Sequence, residues 1–78
     1  MTAISKTSAT NNGWNAAVKA LEECVDDEAR KIRAANLLIK VDEVQGKFNS
    51  GNAIFHYAEG TREAIVEWET TGEIPSEA

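Results

Sequence analysis

The sequence predicts a mostly α-helical fold, and three observations support this prediction. Apolar residues recur at intervals of three and four over residues 14–39, as in an amphipathic helix. Residues 53–71 lie between Asn52 and Gly72, two residue types that commonly begin and end helices. The chain has 78 residues, the size of one small domain. We therefore expect a long amphipathic helix over about 14–45 and a second helix over about 53–71, packed as a helical hairpin.

Residues 1–13 are predicted to form a flexible N-terminal arm, and residues 14–78 a single small domain. The arm is rich in Ser, Thr and Asn and contains no run of large apolar residues, which is typical of loosely held termini. Asn11 or Asn12 is a candidate N-cap, which would start the first helix close to Trp14.

The first helix is predicted from residues that recur every seven positions and would share one face. They are Val18, Val25, Ile32 and Ile39, with Trp14, Leu21 and Ala35 at the interleaved positions. Glu28 is the one break in this stripe. Asp26 or Asp27 is a candidate N-cap, so a helix break near residues 25–27 stays open. Gly46 is expected to end the helix.

The segment 53–71 has a competing interpretation as part of a sheet. Glu59-Gly60 would then form a β-turn between two strands rich in aromatic and β-branched residues. The fold would be α+β, with one helix packed on a small antiparallel hairpin or meander over about 43–70. Gly60 inside a helix costs about 1 kcal/mol relative to alanine. The Gly72–Pro75 ending favours the helix.

Composition excludes several functional classes. The net charge is −5, which disfavours direct binding to nucleic acid or to an anionic membrane. One cysteine allows no internal disulfide and indicates a reducing compartment, so a cytoplasmic protein is expected. One cysteine and one histidine do not make the usual structural zinc site, and the scattered glycines form no nucleotide-binding motif. No metal and no cofactor is predicted.

An enzyme is not expected from the nucleophiles and bases available. Cys24 lies beside the apolar stripe, where a thiol behaves as a small hydrophobic side chain. His56 is the only histidine, and no second group supports it as a general base. The sequence therefore predicts a non-enzymatic protein.

Charge is distributed unevenly along the chain. Residues 48–78 carry six acids and one cation, a net charge of −5. On a helix Glu59, Glu63 and Glu67 would form an i, i+4 ladder with a rise of about 6 Å per step. We predict that these three residues and Glu69 contact cations of a protein partner. The alternative is that they only keep the surface soluble.

A basic patch provides an alternative site. It consists of Arg30, Lys31 and Arg33, with Lys40, within a stretch that is net positive. These cations would pair with acids of a neighbouring helix or subunit, or bind a small anionic ligand such as a nucleotide signal between subunits.

The chain resembles a known class of proteins in four features. They are its short length, its acidic balance, its polar N-terminus with Ile4-Ser5-Lys6-Thr7 and the lack of a catalytic motif. The proteins of this class are the small acidic inhibitors that phages and other mobile elements encode against host machinery, anti-CRISPR proteins among them. The resemblance implies an inhibitor that acts in the host cytoplasm, and it assigns no residue roles.

The leading hypothesis is a homo-oligomeric binding protein that occupies a basic surface of a partner protein and acts by phosphate mimicry if that partner binds nucleic acid. We expect an oligomer because two helices alone would leave Trp14, Phe55 or Trp68 uncovered. The alternatives are an oligomeric sponge for nucleotide signals and a regulatory, antitoxin-like helical dimer.

Overall fold

The computed structural model describes residues 5–78 and shows a bundle of three helices. They are α1 (Lys6–Glu23), α2 (Asp27–Lys47) and α3 (Ala53–Thr71). The mostly α-helical prediction is confirmed, and α3 matches the predicted helix over 53–71. The alternative hairpin or meander over about 43–70 is wrong, because residues 5–78 contain no strand.

The predicted helix over 14–45 is divided in two. It breaks at residues 24–26, where Cys24 and Asp26 have extended backbone conformations. Asp26 Oδ1 accepts a hydrogen bond from the backbone N–H of Ala29 at 2.8 Å, so Asp26 is the N-cap of α2. The helix break that was possible near residues 25–27 is therefore present, and Asp26 is the residue that begins the second helix.

This break changes which apolar residues are buried. Leu21 is fully buried in α1, but Val25 is 91% exposed, Ile32 61% and Ile39 58%. The prediction that the seven-residue stripe continues along one face is therefore wrong beyond Leu21. The turn at residues 24–26 starts a new helix, in which a different set of residues faces the core. The inner face of α2 is formed instead by Ala34, Leu37, Leu38 and Val41.

The start of α1 also differs from the prediction. Ser5 caps the helix by accepting a hydrogen bond from Ser8 N at 3.1 Å, whereas Asn11 and Asn12 lie inside the helix. Residues 6–13, expected to be part of a flexible arm, form the first two turns of α1, and residues 1–4 lie outside the described part of the chain. Ala9 and Gly13 are buried, so this part of α1 packs through small residues although it contains no run of large apolar ones.

Helices α1 and α3 run in the same direction and pack closely in their N-terminal halves. A Cβ atom on Gly13 would clash with the carbonyl of Tyr57, and one on Gly60 would clash with the carbonyl of Thr10. Thr61 is buried between them, with its hydroxyl 3.0 Å from the carbonyl oxygen of Gly13. Glycine at both positions allows the two backbones to approach this closely.

Helix α2 runs antiparallel to α1 and α3, so the bundle has up-down-up topology. The largest buried side chains lie towards the α1–α2 turn, where Leu21 packs with Ile65 and Trp68. In the middle of α3, Arg62 binds Asp42 of α2, with Nη2 and Oδ1 2.6 Å apart. The largest buried side chains are therefore concentrated in one half of the bundle, and the other half buries smaller residues such as Ala9 and Ala58.

The ends of α2 and α3 differ in geometry. Gly46 does not end α2, which continues to Lys47 and leaves the helix through Phe48 in an extended conformation. Asn52 caps α3 as predicted, accepting from Ile54 N at 3.2 Å. Gly72 ends α3 in a left-handed conformation with φ of 78°, also as predicted.

The C-terminal segment turns back along α1. Trp14 Nε1 donates a hydrogen bond to the carbonyl of Ser76 at 2.7 Å, and Ala78 N donates to Asn15 Oδ1 at 2.7 Å. Ile74 packs against the core. None of the three helices is long and apolar enough to cross a membrane.

Candidate functional site

The acidic face of the protein is formed by Glu59, Glu63 and Glu67 on successive turns of α3. Glu63 and Glu67 are exposed and border an open groove of about 420 Å³. Trp14, Val66 and Thr70 are also part of its lining. The groove therefore combines carboxylates with apolar surface, as protein-binding sites commonly do.

The carboxylates of Glu63 and Glu67 are not neutralised by the described chain. Arg62 is the one cation among residues 48–78, and its guanidinium binds Asp42 and Gln45 of α2 instead. Neither Glu63 nor Glu67 forms an ion pair within residues 5–78. Their negative charge is available to cations from outside the molecule.

Glu59 has a different environment from the other two acids. Its Oε2 lies 3.6 Å from Nδ1 of His56. The other ring nitrogen, Nε2, is 2.6 Å from the carbonyl oxygen of Ser50 and donates to it, because a carbonyl can only accept. His56 therefore links the start of α3 to the preceding loop. Because Nε2 carries the proton of the neutral ring, Nδ1 forms an ion pair with Glu59 only when the ring is protonated.

Glu69 does not belong to the acidic face. It follows Glu67 by two residues, which places it about 160° around the helix. It borders a separate groove together with Asp27, Lys31 and Trp68. The structure thus brings together three of the four predicted acids and places Glu69 near the α1–α2 turn.

The alternative basic site is not a single patch. Arg30 Nε donates to the carbonyl of Leu21 at 3.0 Å, and its Nη2 donates to the carbonyl of Cys24 at 3.3 Å. Its Nη1 pairs with Asp27 at 2.8 Å, so Arg30 covers the C-terminal end of α1. Lys31 and Arg33 are exposed but lie about 160° apart around α2, so they do not face one ligand together.

The two candidate catalytic side chains are separated. Cys24 lies at the α1–α2 turn, with its thiol donating to the carbonyl of Ala20 at 3.3 Å. His56 lies at the opposite end of the bundle, in the first turn of α3. Within residues 5–78 no group of three or more His, Cys, Asp or Glu residues is arranged to hold a metal ion.

A second surface was not predicted from the sequence. Helices α1 and α2 diverge from their connecting turn, so α3 is only partly covered between them in its N-terminal half. Ile54 and Tyr57, each 41% exposed, form a ridge there. On the α1 side of this ridge Ala9, Asn12 and Ala53 line a depression of about 250 Å³.

On the α2 side of the ridge lies a depression of about 230 Å³. Its walls are Leu37, Lys40, Val41, Val44, Ala58 and Thr61. We call the two depressions and the ridge between them the interhelix groove. One feature of the sequence could have indicated this surface. Arg33, Lys40 and Lys47 are spaced seven residues apart, which places three cations on one side of α2.

The fold and these surfaces define a small three-helix bundle with an acidic face on one side of α3 and an apolar groove on the other. Comparison with protein-family models, curated proteins and solved structures finds no match for the chain.

Proposed function

We propose that this is a non-enzymatic binding protein whose acidic face occupies a basic surface of a partner protein. The observation that carries the proposal is the exposure of Glu63 and Glu67, which form no intramolecular ion pair within the described residues, next to Trp14 and Val66. Arg62 borders the same groove, but its guanidinium is bound to Asp42 and Gln45. Carboxylates of this kind steer association with a basic surface and add specificity, while the adjacent apolar side chains supply buried area.

In its more specific form, the proposal is inhibition of a nucleic-acid-binding complex. Glu59, Glu63 and Glu67 repeat with a rise of about 6 Å along α3, so a row of negative charges would compete with phosphates for the same Lys and Arg side chains. An anti-defence inhibitor of the phage type would act in this way, in the cytoplasm of the host.

The test compares three baits in a capture experiment from lysate of the source cell, with mass spectrometry as the readout. The baits are the wild type, Glu63→Gln with Glu67→Gln, and Glu43→Gln with Glu69→Gln. The last pair removes the same charge from exposed positions outside the acidic face. A true partner should bind wild type and the control pair at least about tenfold better than the Glu63/Glu67 variant at low salt.

The salt dependence provides a second criterion. Binding of the partner to wild type should weaken as ionic strength rises, and the advantage over the Glu63/Glu67 variant should shrink with it. If all three baits retain the same proteins at every salt concentration, the acidic face is only a solvated surface and the proposal is wrong.

A further inference from the structure

We propose that the interhelix groove binds an amphipathic helix of a partner protein, with acidic residues of that helix facing α2. This is a second interaction surface, independent of the acidic face, because the two lie on opposite sides of α3. The groove has a suitable shape, an apolar lining and, within the described residues, three cations without an ion pair along one side.

The groove has the form of a helix-binding site. Its floor is α3, and its two walls are α1 and α2. The hydrogen bonds between the α1 and α2 segments all come from Arg30, at the turn, so no described side-chain bond closes the walls over Ile54 and Tyr57. A helix laid between the walls would complete a four-helix arrangement and cover these two side chains.

The charge on the walls is one-sided. Lys40 borders the groove directly, and Arg33 and Lys47 lie seven residues before and after it. Together they form a row about 21 Å long on the α2 side. None of the three forms an ion pair within the described part of the chain. On the α1 side the lining residues Ala9 and Asn12 carry no charge, and the one cation of this helix in line with Asn12 is Lys19, close to the α1–α2 turn.

This asymmetry specifies the occupant. Its apolar face should fill the depressions on both sides of the Ile54–Tyr57 ridge. Acidic residues spaced about seven apart should lie along the edge that faces Arg33, Lys40 and Lys47, and the opposite edge needs no charge. The partner is therefore an amphipathic helix with one acidic edge.

The first test uses the full chain and a displayed library of amphipathic peptides with the length of α2, 21 residues. The apolar positions are limited to aliphatic and aromatic residues, and the flanking positions vary among Glu, Gln and Lys. Selection should enrich Glu at a spacing of about seven along one edge. Recovery of no binder, or of binders without this acidic edge, would overturn the proposal.

The second test measures the best selected peptide by fluorescence anisotropy against matched variants. Ile54→Asp and Lys40→Glu should each weaken binding at least about tenfold. Ile39→Asp and Lys31→Glu make the same chemical changes at exposed positions of α2 outside the groove and should stay within about twofold of wild type. Equal losses in the groove and control variants would contradict a groove site.

Charge reversal and self-association complete the test. A peptide with Lys in place of its Glu residues should bind Lys40→Glu better than wild type, and the opposite order would overturn the proposed orientation. Sedimentation equilibrium is run on the same proteins. A wild-type dimer that Ile54→Asp converts to a monomer would show that a second copy occupies the groove, and the partner-helix proposal would then be wrong.

Discussion

Gly60 lies in the middle of α3, where glycine weakens an isolated helix by about 1 kcal/mol relative to alanine. From the sequence this cost counted against a helix. The structure shows that Gly60 touches the backbone of α1 at Thr10, and that Gly13 makes the reciprocal contact with α3 at Tyr57. The local cost is thus offset by close packing of two helices, a benefit that arises between distant segments.

Gly60→Ala should therefore destabilise the protein, although alanine is the better helix former. Its methyl group would clash with the carbonyl of Thr10, and relief of the clash should cost about 1–3 kcal/mol. Gly46→Ala is the matched control, because a methyl group at this position of α2 meets no atom within 4 Å. It should stabilise the protein by about 0.5–1 kcal/mol.

Urea denaturation followed by circular dichroism measures both free energies of unfolding. A gain in stability for Gly60→Ala, equal to that of Gly46→Ala, would show that the close approach of α1 and α3 is not required by the fold.

At the scale of the elements, the turn at residues 24–26 decides how the three helices are arranged. Asp26 caps α2, and Arg30 from the first turn of α2 reaches back to carbonyls at the end of α1. One side chain thus satisfies acceptors that a helix end leaves open. These contacts bind Arg30 to the end of α1, and the ligand site of Arg30, Lys31 and Arg33 stays a prediction.

Arg30→Gln should lower the free energy of unfolding by about 1–3 kcal/mol, because the carbonyls of Leu21 and Cys24 lose a charged donor. Arg33→Gln removes the same charge from an exposed position of α2 and should change stability by less than about 0.5 kcal/mol. Thermal unfolding of the two variants distinguishes them. Equal effects would indicate that only net charge matters.

For the whole molecule, three helices cover aromatic surface that two could not. Trp68 is only 6% exposed, and Trp14 and Phe55 are half-buried in a single chain. Trp14 owes part of its cover to the returning C-terminal segment, through its hydrogen bond to Ser76. A second copy of the chain is therefore not needed to cover these aromatic rings. The homo-oligomer stays a prediction, and sedimentation equilibrium decides it.

Removal of residues 74–78 should destabilise the bundle by about 1–3 kcal/mol, because it deletes the packing of Ile74 and the acceptor of Trp14. Tryptophan fluorescence should shift to longer wavelength as Trp14 becomes exposed. Ile74→Ala in the full chain is the control, since it keeps the Ser76 carbonyl and should leave the emission maximum in place. A truncated chain with unchanged stability and emission would contradict a structural role for this segment.

The helix over 53–71 followed from the sequence because its signals are local. Asn52 and Gly72 act on their own neighbouring backbone, and Asp26 does the same at the start of α2. The acidic ladder of Glu59, Glu63 and Glu67 was equally predictable, since helix periodicity alone puts these residues on one face.

Tertiary structure alone decided the remaining features. A seven-residue stripe does not show that a three-residue turn interrupts the helix and that the residues after Leu21 face solvent. Val25, Ile32 and Ile39 were therefore wrongly assigned to the same buried face as Leu21. Helix α1 begins earlier than predicted because small residues such as Ala9 and Gly13 are buried there, and Gly13 packs against the backbone of α3. The sequence does not show this contact. The interhelix groove exists because α1 and α2 diverge across Ile54 and Tyr57, and the angle between two helices is set by packing among all three.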